Sequence, residues 1–242
     1  MMAVILILHH GILSMDHVSI TPDSLNMQKG CPELTMETFR QRTCILNHPG
    51  MICSNNTMTT YILLVRGVTP SGRNKLSMAR FREALEKAGF AHVRTYIQSG
   101  NALVDTDLPA HTVEKNIRDL IRNEIGPDLM VLARTGSQLE EVLEENPFTK
   151  GYDISRVFFV SFAETPPADK VRELLSQDLS PEKLAFGKNA AYMYIPGIYG
   201  RGTLSGNFLE KKLGVSATMR NFNTMKRLVT MSREMHAQQD KH

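Results

Sequence analysis

Two loops carry the residue types that chemistry on an anion requires. The first, "RGVTPSGRNK" (residues 66–75), sets Gly67 and Gly72 among the cations Arg66, Arg73 and Lys75, between an apolar run and an amphipathic stretch. Backbone N–H groups of a glycine-rich loop near a helix start cradle an anion when cations stand beside them. A nucleoside-triphosphate loop would need Lys and then Ser or Thr after the second glycine; Arg73-Asn74 stand there instead, which argues against triphosphate hydrolysis. The blander reading is a solvated connection. The second is Arg220-Asn221, where Asn221 suits a helix N-cap and Arg220 stands beside it as a cation.

A third stretch, "YIQSGNALV", has strand-like arms around Ser99-Gly100-Asn101. Glycine and asparagine accept positive φ at small cost, so this centre is expected to be a tight turn first and a ligand loop second. Complete catalytic sets are missing. His92, His111, His236 and His242 stand beside no candidate nucleophile and in no metal spacing, and Ser99 and Ser205 have no visible base. Asp105 and Asp107 make only a weak metal pair; Asp107 is more simply a helix starter. No catalytic residue, metal or cofactor is assigned.

Composition sets the outer bounds. The 242 residues are 42% apolar and 22% charged, with a net charge of +3. Those are the proportions of a folded domain, and the charge is far below that of a dedicated DNA binder. All three cysteines (Cys31, Cys44, Cys53) precede Met58, at spacings that match no zinc pattern. The opening "MMAVILIL" is too short to span a bilayer and lacks the marks of a secretory signal. Residues 1–57 are therefore expected to be a disordered extension, or the product of a mis-assigned start with Met58 as the physiological first residue. The setting is expected to be cytoplasmic, without a membrane partner.

After Met58 the pattern repeats. "TTYILLV" is a buried strand, "SMARFREALEKAG" a helix capped by Ser77 and stopped by Gly89, and "VRTYI" and "NALVD" are hairpin arms. A helix from Pro109, the strand "LMVLA" and a helix opened by the Thr135–Gln138 capping box follow. The same order then recurs: "RVFFVSF", a helix from Thr165, the arms "KLAFG" and "AAYMYI", the helix "LSGNFLEKKLG" stopped by Gly214, "VSATM", and a last helix from Asn221. The reading is α+β: tandem duplicated ferredoxin-like subdomains (βαββαβ, α-β plaits), each followed by an extra helix, with boundaries at 58–150 and 151–242. With the first and third strands taken as parallel, the Ser99-Gly100-Asn101 turn is expected at the end of the sheet that holds Arg134-Thr135, away from the 66–75 loop. Tyr192 and Tyr194, with Phe158 and Phe162, alternate as an RNA-stacking sheet would require. Core packing explains them better, because "NALVD" in the first copy has no aromatic.

At "LLVRGVTPSGRNKLSMARFREALEKAGFAHVRTYIQSGNALV", "ENPF" and "PGIYGRGTLSGNFLEKKLGVSATMRNFNTMKRL" the chain resembles the family called domain of unknown function 1697. The resemblance spans nearly everything after Met58. It implies a pair of α-β plait subdomains in bacterial proteins without an assigned activity. It marks Arg66, Gly67, Asn74, Lys75, Ser99, Gly100, Asn101, Asn146, Pro147, Arg220 and Asn221 as family-like positions. This chain departs from the family with Val68-Thr69 in place of Asn, Gly202-Thr203 in place of a Ser/Thr-Lys pair, and Phe222 in place of Trp.

These readings converge on a binding protein for an anionic partner, either a nucleotide-like small molecule or nucleic acid. The candidate ligand-binding residues are Arg66, Gly67, Asn74, Lys75, Ser99, Asn101, Arg220 and Asn221. The alternative is an enzyme on a phosphorylated or carboxylated small molecule, with Arg and Lys as electrostatic stabilisers. The sequence leaves the oligomeric state open.

Overall fold

A strand that is apolar on both faces must be covered on both, and Thr59–Val65 (β1) is. Its odd-numbered residues Tyr61, Leu63 and Val65 enter one core and its even-numbered Ile62 and Leu64 another. The computed structural model describes residues 58–69 and 71–239; the expectations for residues 1–57 lie outside the described residues.

The order continues with α1 (Met78–Lys87), β2 (Ala91–Tyr96), β3 (Asn101–Thr106), α2 (Ala110–Leu120), β4 (Val131–Thr135) and α3 (Gly136–Glu144). The second copy comprises β5 (Val157–Phe162), α4 (Ala168–Leu175), β6 (Lys183–Phe186), β7 (Ala191–Tyr194), α5 (Gly206–Leu213), β8 (Ala217–Asn221) and α6 (Phe222–Gln239). The strand orders are β2-β3-β1-β4 and β6-β7-β5-β8, the same order twice, as a duplicated α+β plait requires. Local signals set the ends. Ser77 caps α1, Thr135 and Gln138 close a reciprocal capping box on α3, and Gly214 ends α5 in the left-handed region at φ 73°. Pro109, not Asp107, stands at the N-cap of α2, without a side-chain bond.

One expectation about direction is overturned. β1 pairs antiparallel with both β3 and β4, so the first and third strands are not parallel. A strand–helix–strand crossover reverses the chain twice, so β1 and β2 run the same way, whereas a hairpin reverses it once. The Ser99-Gly100-Asn101 turn therefore lies at the C-terminal end of β1. Leu64 faces Asn101, and Val65 N–H donates to Gly100 O at 2.8 Å. Arg134 and Thr135 face Ile62 and Tyr61, toward the far end of the strand. The turn is a neighbour of the 66–75 loop.

Three apolar clusters result. Phe81 and Leu85 of α1, with Val113 and Ile117 of α2, cover one face of the first sheet. Leu174 of α4, with Leu209 and Leu213 of α5, covers one face of the second. Between the sheets, Leu139 and Val142 of α3 and Met225, Leu228 and Val229 of α6 join Ile62, Leu103, Phe159 and Tyr192 in a single cluster. The two appended helices are thus the layer the copies share, and each fully buried Leu or Phe there contributes about 1.5–3 kcal/mol. Among the described residues no helix is long and apolar enough to cross a membrane.

Candidate functional site

Arg220, next to last in β8, stands opposite Phe159, and its guanidinium crosses to the first sheet. Nε–H donates to Asn101 Oδ1 at 2.5 Å; Nη2 donates to Val65 O (2.9 Å), Ser99 O (3.1 Å) and Gly100 O (3.3 Å). Nη1 donates to Thr218 Oγ1 and Met219 O, both at 2.8 Å. Every N–H of the fork has an acceptor, and all the acceptors are neutral. Burial accordingly pushes the guanidinium down to about 10, which leaves it charged near neutrality. Arg220 clasps the hairpin. It has no donor left for a ligand.

Some of the other expected site residues lie at this clasp and others do not. Asn101 is fully buried, and its Nδ2 donates to Ser99 Oγ (2.8 Å) and Tyr96 O (3.3 Å). Gly100 needs to be glycine: it has φ +74°, and a Cβ there would lie 2.6 Å from Val68 Cγ2. The apolar Val68 thus packs on the hairpin. Arg66 makes a two-pronged pair with the Glu210 carboxylate, Nε–H at 2.6 Å and Nη2 beside the other oxygen. Glu210 also accepts Ala217 N–H. Gly67 takes φ +68° beside half-buried Asn74, whose carbonyl accepts Thr69 N–H at 3.1 Å. Lys75 and Arg73 are exposed, and Asn221 Oδ1 caps α6 by accepting Thr224 N–H at 2.9 Å. The structure brings Ser99, Asn101 and Arg220 together against the end of β1, while Lys75 and Asn221 serve the loop surface and the helix start.

Duplication gives every one of these positions a counterpart. Arg134 faces Ile62 as Arg220 faces Phe159, and Leu103 faces Ile62 as Tyr192 faces Phe159. Stepping two residues along each strand, Ser161 stands where the first copy has Leu64, and Ala190 where it has Asn101. Arg134 Nη2 donates to Phe162 O at 3.1 Å, as Arg220 Nη2 does to Val65 O. Its Nη1 also donates to Ala133 O at 2.8 Å, as that of Arg220 does to Met219 O. There the likeness stops. Arg134 Nη1 turns as well to Glu114 Oε1 (2.9 Å), and its Nε–H has no acceptor among the described residues.

With two large residues replaced by Ser161 and Ala190, the second copy keeps open the space that the first fills. A cavity of about 600 Å³ lies there, between α3, the 163–167 loop, α4 and the β6–β7 hairpin. Arg134, Arg172 and Lys188 line it with one carboxylate, Glu164. Phe162 and Phe186 line it too, their rings parallel within 10° with centroids 6.2 Å apart. The hairpin is tied to α3 by polar bonds, Lys188 N–H to Glu145 Oε2 and Asn189 Nδ2 to Glu141 Oε2, both 3.3 Å. These lining residues were missed in the sequence. The available signal was the internal repeat, which sets small residues against large ones at matched positions.

Tyr192 is 1% exposed and packs edge-on to Phe159 between the sheets, so it is core rather than an RNA platform. At Gly202, a Cβ would overlap the carboxylate of buried Glu182, which accepts Thr203 N–H and Leu204 N–H at 2.8 Å each. That contact leaves no room for a side chain at position 202. Among the described residues no group of three His, Cys, Asp or Glu side chains is placed to hold a metal ion.

With this geometry in view, the family model described as "Protein of unknown function (DUF1697)" matches residues 58–192, more than half of the chain. No curated protein matches. Among solved structures, a conserved bacterial protein, SP0830 from Streptococcus pneumoniae, superposes with a TM-score of 0.54 at 25% identity, over 73% of this chain and 99% of that one.

Proposed function

The chain belongs to the DUF1697 family of proteins of unknown function, and on that footing we propose that it binds a small anionic ligand with a flat ring, nucleotide-like in chemistry, in the second copy's cavity. One observation carries the reading: the 600 Å³ space is lined by three cations and one carboxylate beside two parallel phenyl rings. Its volume is that of a small-ligand pocket, its rings offer a surface on which a base stacks, and Arg134 has an unspent Nε–H for a phosphate or carboxylate oxygen. A half-open pocket of this size suits a free nucleotide better than a nucleic acid strand. A cytoplasmic setting fits, because residues 58–242 contain no cysteine and need no oxidising compartment.

The test is a thermal-shift series on the full chain with nucleoside monophosphates, orthophosphate and short single-stranded RNA. Ligand at a hundred times its dissociation constant adds about 2.7 kcal/mol to stability, so a monophosphate should raise Tm clearly. Lys188→Ala and Arg172→Ala, whose side chains make no hydrogen bond among the described residues, should abolish the shift without lowering the Tm of the free protein. A shift with RNA alone, or none with any anion, would refute the reading.

A further inference from the structure

A second polar arrangement lies away from this cavity, on the first sheet. Ala91 faces Asp105 and Arg94 faces Leu103, so β2 carries one residue more than β3 over this stretch, a bulge that re-aims a side chain. His92 sits in it with φ 48°, a left-handed conformation that a non-glycine residue adopts only under local constraint. Its Nδ1 lies 2.8 Å from Asp105 Oδ2. Asp105 is 1% exposed, and its Oδ1 accepts Thr60 Oγ1–H at 2.5 Å. A buried carboxylate that accepts a hydrogen bond from Nδ1–H fixes the tautomer with its lone pair on Nε2. The His92 side chain is 69% exposed, so that lone pair is open to solvent. Arg94 rises on the same face of the strand pair, held by Gln238 Oε1 at 2.8 Å and by Glu234 at 3.5 Å.

We propose that His92 is a nucleophile that accepts a phosphoryl group from a small activated donor of the acyl phosphate or phosphoramidate class. The Nε2 lone pair forms the N–P bond as the bond from phosphorus to the leaving group breaks, and the leaving group departs with that electron pair. An acyl phosphate releases its carboxylate; a phosphoramidate releases its amine, which takes a proton from water. Nδ1 keeps its proton, and the Asp105 carboxylate balances the positive charge that develops on the ring. The guanidinium of Arg94, on the same face, supplies positive charge for the phosphoryl oxygens. Asp105 and Thr60 are positioning residues. His111 and His236 are also exposed and make no hydrogen bond among the described residues, so they serve as internal controls.

The experiment is a time course of the full chain with phosphoramidate, read by site-resolved mass spectrometry and by phosphorus NMR of the isomer formed. His92 should label first, at Nε2, about tenfold faster than His111 and His236, the effect expected of an orienting carboxylate. Asp105→Asn should slow labelling of His92 and spread it to Nδ1, a change of isomer that a merely structural role would not produce. Thr60→Val, the milder variant, should give a smaller shift in the same direction, with circular dichroism confirming that both variants fold. Equal labelling of the three histidines would overturn the assignment. So would a rate and isomer ratio unchanged in both variants.

Discussion

Arg220 Nε lies 2.5 Å from Asn101 Oδ1 and so joins the last strand of one sheet to the hairpin of the other across 119 residues of chain. The same guanidinium reaches Val65 O, Ser99 O and Gly100 O. Removing it leaves buried acceptors without a donor, at roughly 1–3 kcal/mol each. Arg220→Ala should therefore lose about 3 kcal/mol or more in urea unfolding. Arg220→Lys should recover little, because an ammonium cannot reproduce the fork. A loss below about 1 kcal/mol would mean that the clasp does not hold the hairpin.

Helices α3 and α6 touch at two small residues, Gly136 and Ser232. A Cβ on Gly136 would lie 2.6 Å from Ser232 Oγ and 3.1 Å from Ser232 Cβ. Ser232 is fully buried, and its hydroxyl has no hydrogen-bond partner among the described residues. Gly136→Ala should cost about 1–3 kcal/mol through overpacking. Ser232→Ala should be neutral or stabilising, since it removes an unpaired polar group. The double variant should recover part of the Gly136→Ala loss, because the closer of the two contacts is gone. Strict additivity of the two changes in denaturant unfolding would count against a direct contact.

Tyr192 gives a signature at alkaline pH. Burial first, then the charge and hydrogen bond of Glu145, push its phenol well above the ordinary tyrosine value. In the unfolded chain that phenol ionises near 10, so above this pH the folded state holds a proton the unfolded state has lost. Its contribution to stability is complete below about pH 10 and falls as pH rises beyond it. Of the six tyrosines, Tyr192 should be the last to show phenolate absorbance. Tyr192→Phe should remove that late step. A native titration in which all six ionise together would contradict the buried placement.

The repeat order, the caps and the glycine stops were legible because each is written in a few adjacent residues: Ser77, Thr135 with Gln138, and Gly214. Strand direction was misread because it depends on counting reversals through a helix, and a sequence pattern does not display that. Arg220 was legible as important but not as buried; a surface arginine and a clasping one have the same letter, and only the partners at Val65, Ser99 and Asn101 tell them apart. The cavity was hidden for a different reason. It follows from missing bulk at Ser161 and Ala190, which is visible only once the sheets place those residues against Leu64 and Asn101. His92 and Asp105 stand 13 residues apart and meet through a bulge that no spacing rule encodes.

The proposed anion enters the second copy's cavity and not the filled end of the first. Amide shift mapping of the full chain during titration with adenosine monophosphate tests it most directly. Saturable shifts should appear at Arg134, Ser161, Phe186 and Lys188, with Val65, Gly100 and Asn101 unmoved. Shifts centred on the 66–75 loop and the Arg220 clasp, or no saturable shift anywhere, would contradict the account.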